Sequence, residues 1–171
     1  FLAREGALNV YALYRTHDYH FAVYGAMFLG QYGPAMEAAQ ELIDTTPEEL
    51  LRIPSPPMAD FVEGYLPMKQ HVLVRFGKWH EIIAQELPRD RELYCSTTAM
   101  MLYAQAVAHS ALGDIARAEA VFLESVIALH PEAESKPCVI GNCQAGWAVM
   151  ILAALRPELF GPIIIAGTPL S

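Results

Sequence analysis

Apolar residues recur at steps of three and four along most of the chain, which is the spacing of amphipathic helices. Glycine and proline signals separate these segments, most clearly Gly30 followed by Pro34, the run Ser55-Pro56-Pro57 and the run Leu87-Pro88. The region before Pro131 is therefore predicted to be mainly α. The predicted helices are 5–14, 18–31, 34–44, 47–52, 58–76, 79–86, 93–112 and 115–129.

The hydrophobic period changes after Pro137. Residues 138–140 are a short apolar run typical of a buried strand, 144–155 predict an apolar helix, and 162–166 predict a second strand. A strand, a covering helix and another strand form a βαβ unit, whose two strands run parallel. We therefore predict a helical region over 1–131, a linker over 132–137 and a short βαβ fragment over 138–171.

The simplest role for this C-terminal fragment is structural. An open stack of helices needs its last apolar face covered, and a docked βαβ fragment would act as that cap. This interpretation predicts that one set of apolar side chains is buried against the last helix: Val149, Ile151, Leu152, Leu155 and Ile163–Ile165.

Composition narrows the class of protein. With 54% hydrophobic and 18% charged residues, the 171-residue chain is predicted to fold, and its net charge of −8 argues against binding nucleic acid phosphates. No apolar stretch reaches the roughly 18 residues of a membrane span, and no segment has the pattern of a secretory signal. Three cysteines without a C-x-x-C motif indicate free thiols and a cytoplasmic location, with Cys95 and Cys138 expected to be buried.

Three segments repeat one pattern, a helix, a glycine turn and a second helix that opens on a bulky residue. They are Gly30-Gln31-Tyr32, Gly77-Lys78-Trp79 and Gly113-Asp114-Ile115, and small residues Ala35 and Ala118 follow where paired helices would touch. The pattern resembles degenerate tetratricopeptide (TPR) repeats over about 5–130, and the segments 17–31 and 74–82 resemble a bacterial group of such proteins. The resemblance implies helical hairpins whose concave face binds an unidentified protein or peptide.

Two histidines on the first long helical segment raise the question of a metal site. His17 and His20 are three residues apart and share a helix face, and His71, His80 or Glu63 would have to supply a third ligand. However, no metal-binding motif such as H-E-x-x-H is present, and the surrounding Tyr and Phe residues favour histidines that pack and form hydrogen bonds. The sequence therefore predicts no metal, and His17 and His20 are the candidate ligands if one binds.

The segment Val139-Ile140-Gly141-Asn142-Cys143-Gln144-Ala145-Gly146 has the pattern of a nucleophile elbow, in which a strand turns sharply into a helix at a nucleophile. The turn requires small flanking residues, and Gly141 and Ala145 lie two positions before and after Cys143, with Gly146 next. The backbone N–H of Gln144 is the expected oxyanion-hole donor, and the start of the helix favours a thiolate at Cys143.

With cysteine in place of serine, the sequence G-N-C-Q-A-G resembles the corresponding box of polyhydroxyalkanoate synthases. The whole of 136–171 is similar to a bacterial hydrolase-like family related to those synthases. This resemblance implies an α/β-hydrolase fold in which Cys143 is the acyl-accepting nucleophile.

The catalytic partners of such a nucleophile are not evident. In the α/β-hydrolase fold the acid and the histidine follow the nucleophile, but after Cys143 the only acid is Glu158 and no histidine follows. The first hypothesis is therefore a helical-repeat scaffold that binds a protein or peptide, with no cofactor and a catalytically incomplete tail. The alternative is a piece of an acyl-transferring α/β-hydrolase that uses Cys143. The ends of the chain, Phe1 and Ser171, favour a truncated or composite reading frame.

Overall fold

A computed structural model of the protein describes residues 2–9, 11–143 and 145–168. The described chain is mainly helical, as predicted, with a small two-stranded parallel sheet. The strands are β1 (Val139–Asn142) and β2 (Ile163–Ala166), and 3₁₀ turns occupy Glu63–Tyr65 and Pro157–Leu159. The helices are α1 (Leu2–Glu5), α2 (Ala12–Phe28), α3 (Tyr32–Asp44), α4 (Glu48–Leu51), α5 (Met58–Val62), α6 (Met68–Arg75), α7 (Trp79–Ile83), α8 (Cys95–Ala111), α9 (Ile115–Leu129) and α10 (Ala145–Leu155).

The chain divides into two compact units, one ending at Ala104 and the other beginning at Gln105, so that the boundary falls inside α8. The predicted linker 132–137 lies within the second unit and carries neither helix nor strand. A boundary between sequence families at this linker stays a prediction. None of the helices in the described ranges has the length and apolarity that crossing a membrane requires.

The N-terminal unit is built around the pair α2 and α3. Val23 on α2 and Ala35, Ala39 and Leu42 on α3 are completely buried, and α6 also packs against α3. Small alanine side chains on α3 allow its neighbours to approach closely, which is the role predicted for Ala35.

Glycine ends three helices in the way the repeated pattern predicts. Gly30, Gly77 and Gly113 have φ angles of 70°, 66° and 85°, a region in which side chains other than glycine are strained. After α2, Gln31 N–H donates to the Ala26 carbonyl at 2.9 Å and Gly30 N–H donates to the Met27 carbonyl at 3.1 Å. The same pair of bonds follows α6 and α8, so each helix closes with a Schellman motif and turns into the next helix.

Two predicted helices are wrong. The prediction of 5–14 fails because Gly6 adopts a φ of 72°, and Asn9 closes a local turn by donating to the Gly6 carbonyl and accepting from the Tyr11 N–H. The prediction of 58–76 fails because Pro67 has no N–H to donate, so α5 gives way to a 3₁₀ turn before α6 begins.

The C-terminal unit contains the predicted βαβ arrangement. The strands β1 and β2 pair in parallel, with Val139 opposite Ile163 and Asn142 opposite Ala166, and α10 connects them. Helix α10 packs on α9, where Leu152 is buried together with Ala120.

The predicted burial of the cap is largely wrong. Among its side chains only Leu152 is fully buried, whereas Ile151, Leu155, Ile163 and Ile164 are exposed. A sheet of only two strands that packs on α10 offers too few neighbours to cover them. The predicted burial of Cys95 and Cys138 is also wrong, since both are exposed.

Candidate functional site

The turn at Cys143 joins β1 to α10 and has the backbone geometry of a sharp elbow. Cys143 has a φ of 54°, and it is the one described residue other than glycine with a positive φ. A left-handed conformation costs a non-glycine residue about 1–2 kcal/mol, so surrounding contacts must hold it.

Three hydrogen bonds restrain this turn. The Cys143 N–H donates to the Ala166 carbonyl at 2.9 Å, which extends the pairing of β1 with β2 by one residue. The carbonyl oxygen of Cys143 accepts from the Gly146 N–H at 3.1 Å and from the Thr168 hydroxyl at 2.7 Å. Cys143 is therefore held in its strained conformation from two sides, by Ala166 and Thr168 in and after β2 and by Gly146 in the first turn of α10.

Close packing around the elbow falls on two glycines. A Cβ on Gly141 would lie 2.6 Å from the Gly146 Cα, and a Cβ on Gly146 would lie 1.9 Å from the Thr168 Oγ1. The sequence analysis predicted that the residue two positions before Cys143 must be small, and the close packing of Gly141 is consistent with this. After Cys143 the residue that must be small is Gly146, because Ala145 at the start of α10 is exposed.

The thiol of Cys143 is exposed at this turn. It forms no hydrogen bond with any residue in the described ranges, and Gln144, the expected oxyanion-hole donor, lies outside those ranges.

The acid and the nearby histidine in the sequence are engaged with other residues. Glu158, the acid that follows Cys143, forms an ion pair with Arg156. His109 precedes the elbow, and its Nδ1 lies 3.9 Å from the Asp114 Oδ2. The turn thus presents a nucleophilic atom without a base beside it in the described part of the chain.

Thr168 is a site residue that sequence reasoning missed. It lies just past β2, and the ends of parallel strands meet at one edge of a sheet, so a hydroxyl there can reach the turn that follows β1. The position of Thr168 directly after the second predicted strand is therefore the feature of the sequence from which this contact could have been predicted.

The histidines of α2 lie in an aromatic cluster. The rings of His17 and His20 are 6.1 Å apart between centroids, and both contact Tyr65 edge to face. Burial, and then the nearby charge of His17, lowers the pKa of His20, while burial and the charge of His20 lower the pKa of His71.

These groups do not form a metal centre. Glu63, one proposed third ligand, accepts hydrogen bonds from the backbone N–H groups of Ser96 and Thr97 at 3.1 and 2.7 Å. Across the described residues, no group of three or more His, Cys, Asp or Glu side chains could hold a metal ion.

Comparison with known proteins gives two matches. The profile of a family described as "Protein of unknown function (DUF3141)" matches residues 96–171, which include all of α8 after its first residue, α9 and the elbow. A protein of Rhizobium meliloti named "Uncharacterized protein in ackA 5'region" is 83% identical over 58 residues, which are 34% of this chain and 8% of that protein. No solved structure is significantly similar to the chain.

The extent of the family match bears on domain organisation. It crosses the predicted linker 132–137 without interruption, so similarity to one family includes both the last long helices and the βαβ fragment. The Rhizobium meliloti protein is much longer than the matched segment, since that segment spans only 8% of its length.

Proposed function

We propose that the C-terminal unit contains the nucleophile-bearing βαβ segment of an acyl-transferring α/β-hydrolase related to polyhydroxyalkanoate synthases, with Cys143 as the nucleophile. The observation that carries the proposal is the φ of 54° at Cys143, between a parallel strand and an apolar helix. A strained backbone at a turn with an exposed thiol is the arrangement that projects a nucleophile toward its substrate.

The proposed reaction begins with attack of the Cys143 thiolate on the carbonyl carbon of an ester or thioester. The tetrahedral intermediate carries an oxyanion, to which backbone N–H groups at the start of α10 would donate. Collapse breaks the bond to the alcohol or thiol leaving group and leaves the acyl group on sulfur. The thiol proton passes through a general base to the leaving group, and an acceptor hydroxyl or water then takes the acyl group.

Exposed apolar side chains on the βαβ segment also favour a larger α/β fold. Ile140 and Ile164 on the strands and Trp147 and Leu155 on α10 are all at least 43% exposed. Parallel sheets are normally covered on both faces. These side chains are therefore suited to packing against further strands and helices of a longer protein, which would also supply the acid and the histidine.

Thiol reactivity tests the role of Cys143. In the double variant Cys95→Ser/Cys138→Ser, iodoacetamide near neutral pH should alkylate the remaining Cys143 thiol faster than an ordinary exposed thiol. The matched control is Cys95→Ser/Cys143→Ser, which leaves only the exposed thiol of Cys138. Equal rates in the two variants would contradict the proposal.

Acyl transfer gives a second, independent measurement. Incubation with p-nitrophenyl butyrate should add one butyryl group at Cys143, detected by mass spectrometry of the peptide that contains it. Acylation of Cys138 to the same extent would show ordinary thiol chemistry rather than a prepared nucleophile.

A helical scaffold for protein or peptide binding is the second candidate. It is favoured by aromatic side chains that α2 presents to solvent, with Tyr14, Phe21 and Phe28 being 66%, 61% and 81% exposed. Large exposed apolar groups of this kind mark binding surfaces. Photo-crosslinking from benzoylphenylalanine at position 21 should capture one discrete partner in cell extract, and the same group at the exposed position 37 should not.

A further inference from the structure

The N-terminal unit contains an open groove of about 720 Å³ between α2, α6 and α8. Met27 and Phe28 line it from α2, Val74 from α6, and Met100 and Ala104 from α8. Its volume falls within the roughly 300–1,000 Å³ of pockets that bind small molecules. Because the lining ends at Ala104, the groove is formed by the N-terminal unit alone.

The apolar part of the groove suits a flexible chain. Met27 and Met100 come from different helices, and unbranched thioether side chains adapt to ligands of irregular shape. Phe28 is 81% exposed, which is a large apolar surface left in water beside the groove. A bound hydrocarbon chain would remove that surface from water, and burial of apolar area is favourable.

Among the described residues that line the groove, the one charged side chain is Arg75, and no Asp or Glu is found. His71 lies four residues earlier on the same face of α6, where burial lowers its pKa and favours the neutral ring. The chain as a whole has 19 acidic and 11 basic residues, so the charge of Arg75 is opposite in sign to the net charge of the chain. Arg75 is exposed and forms no ion pair or hydrogen bond within the described ranges, which leaves its guanidinium available to a ligand.

We propose that this groove binds an amphipathic monocarboxylate, with the hydrocarbon chain between α2 and α8 and the carboxylate on Arg75. A guanidinium matches a carboxylate with two parallel N–H···O bonds, which a lysine or a neutral donor does not reproduce. The site is separate from the Cys143 elbow and does not depend on the proposed acyl transfer.

The test compares two ligands that differ only at the head group, laurate and dodecanol, titrated below their aggregation limits into the ¹⁵N-labelled full chain. Laurate should shift amide resonances of 24–28, 71–75 and 100–104 and reach saturation, and dodecanol should bind at least about tenfold more weakly. Arg75→Gln should weaken laurate binding at least about tenfold and leave dodecanol binding unchanged.

A cation elsewhere on the same helix provides the matched control. The Lys69 Nζ lies 3.4 Å from the Gln40 Oε1 outside the groove, so Lys69→Gln should leave laurate affinity unchanged. The proposal is overturned if Arg75→Gln and Lys69→Gln have equal effects, if dodecanol binds as tightly as laurate, or if laurate produces no saturable shift in the groove. The absence of a saturable shift with laurate is also the result expected of a groove that binds only an apolar peptide.

Discussion

The hydroxyl of Thr168 donates a hydrogen bond to the carbonyl oxygen of Cys143 at 2.7 Å, across 25 residues of sequence. That carbonyl also accepts from the Gly146 N–H, so one oxygen connects the end of β2 to the first turn of α10. The contact holds a residue with a φ of 54°, which a relaxed chain would leave. The loop after β2 is therefore part of the elbow.

Removal of the Thr168 hydroxyl should loosen the turn. Thr168→Val keeps the shape but leaves one lone pair of the Cys143 carbonyl without its donor, and Thr168→Ser keeps the donor. We expect Thr168→Val to lower the free energy of unfolding of the C-terminal unit by about 0.5–1.5 kcal/mol. Urea unfolding followed by Trp147 fluorescence in a Trp79→Phe background measures this, and equal losses for the valine and serine variants would show that the hydrogen bond contributes nothing.

Substitution of Gly141 should test the close packing of the elbow. A Cβ there would lie 2.6 Å from the Gly146 Cα, and a backbone atom can yield only if the strand and helix separate. Gly141→Ala should therefore destabilise the C-terminal unit by about 1–3 kcal/mol.

Gly25 provides the opposite case within a helix. It is exposed on α2 and a Cβ there would meet nothing within 4 Å, so Gly25→Ala should stabilise the N-terminal unit by about 0.5–1 kcal/mol. Trp79 fluorescence in a Trp147→Phe background reports on that unit. Similar effects of the two alanines, in size and sign, would contradict the steric explanation.

The elements that were predicted best from the sequence are those determined by residues close together along the chain. Glycine at a helix end fixed the turns at Gly30, Gly77 and Gly113, and the apolar runs around α10 were sufficient to predict a parallel strand–helix–strand unit. Elements were missed where a single residue interrupts a continuing pattern. Pro67 inside an apolar period was a readable signal of this kind, whereas the Asn9 turn depends on a side chain that competes with the backbone.

The site was predictable only in part for a different reason. The nucleophile position and Gly141 follow from spacing along one segment, but the Thr168 contact depends on how β2 pairs with β1. Exposure of Cys95 and Cys138 likewise depends on which elements cover them, and periodicity does not report that.

A buried carboxylate at the start of α8 supports the N-terminal unit. Glu63 is 3% exposed, and its two oxygens accept from the Ser96 and Thr97 N–H groups, which have no partner within their own helix. Glu63→Gln removes the negative charge and turns an amide N–H₂ toward one of these donors. We expect a loss of about 1–3 kcal/mol in the free energy of unfolding, measured by Trp79 fluorescence.

The control for Glu63 is Glu92, an exposed acid close to the start of α8. Glu92→Gln should change stability by less than about 0.5 kcal/mol. If the two variants behave alike, the buried carboxylate has no special role at this helix terminus.

The histidine cluster should make the N-terminal unit sensitive to acid. The Nδ1 of His20 is buried and has no hydrogen-bond partner within the described residues, and burial lowers the pKa of both His20 and His71. In the unfolded chain the same rings titrate near 6.5. Below that pH the unfolded state binds protons that the folded state does not.

Stability of the N-terminal unit should therefore be fully present above about pH 6.5 and should fall as the pH drops toward the lowered pKa values of His20 and His71. His20→Gln removes one of these groups, so the unfolding free energy should depend less steeply on pH, whatever its absolute value. The matched variant is His130→Gln, which changes an exposed histidine outside the N-terminal unit and should leave that slope unchanged. Urea unfolding at a series of pH values, followed by Trp79 fluorescence, measures both slopes. If the slope of His20→Gln matched that of the parent chain, the acid sensitivity would have to come from other groups.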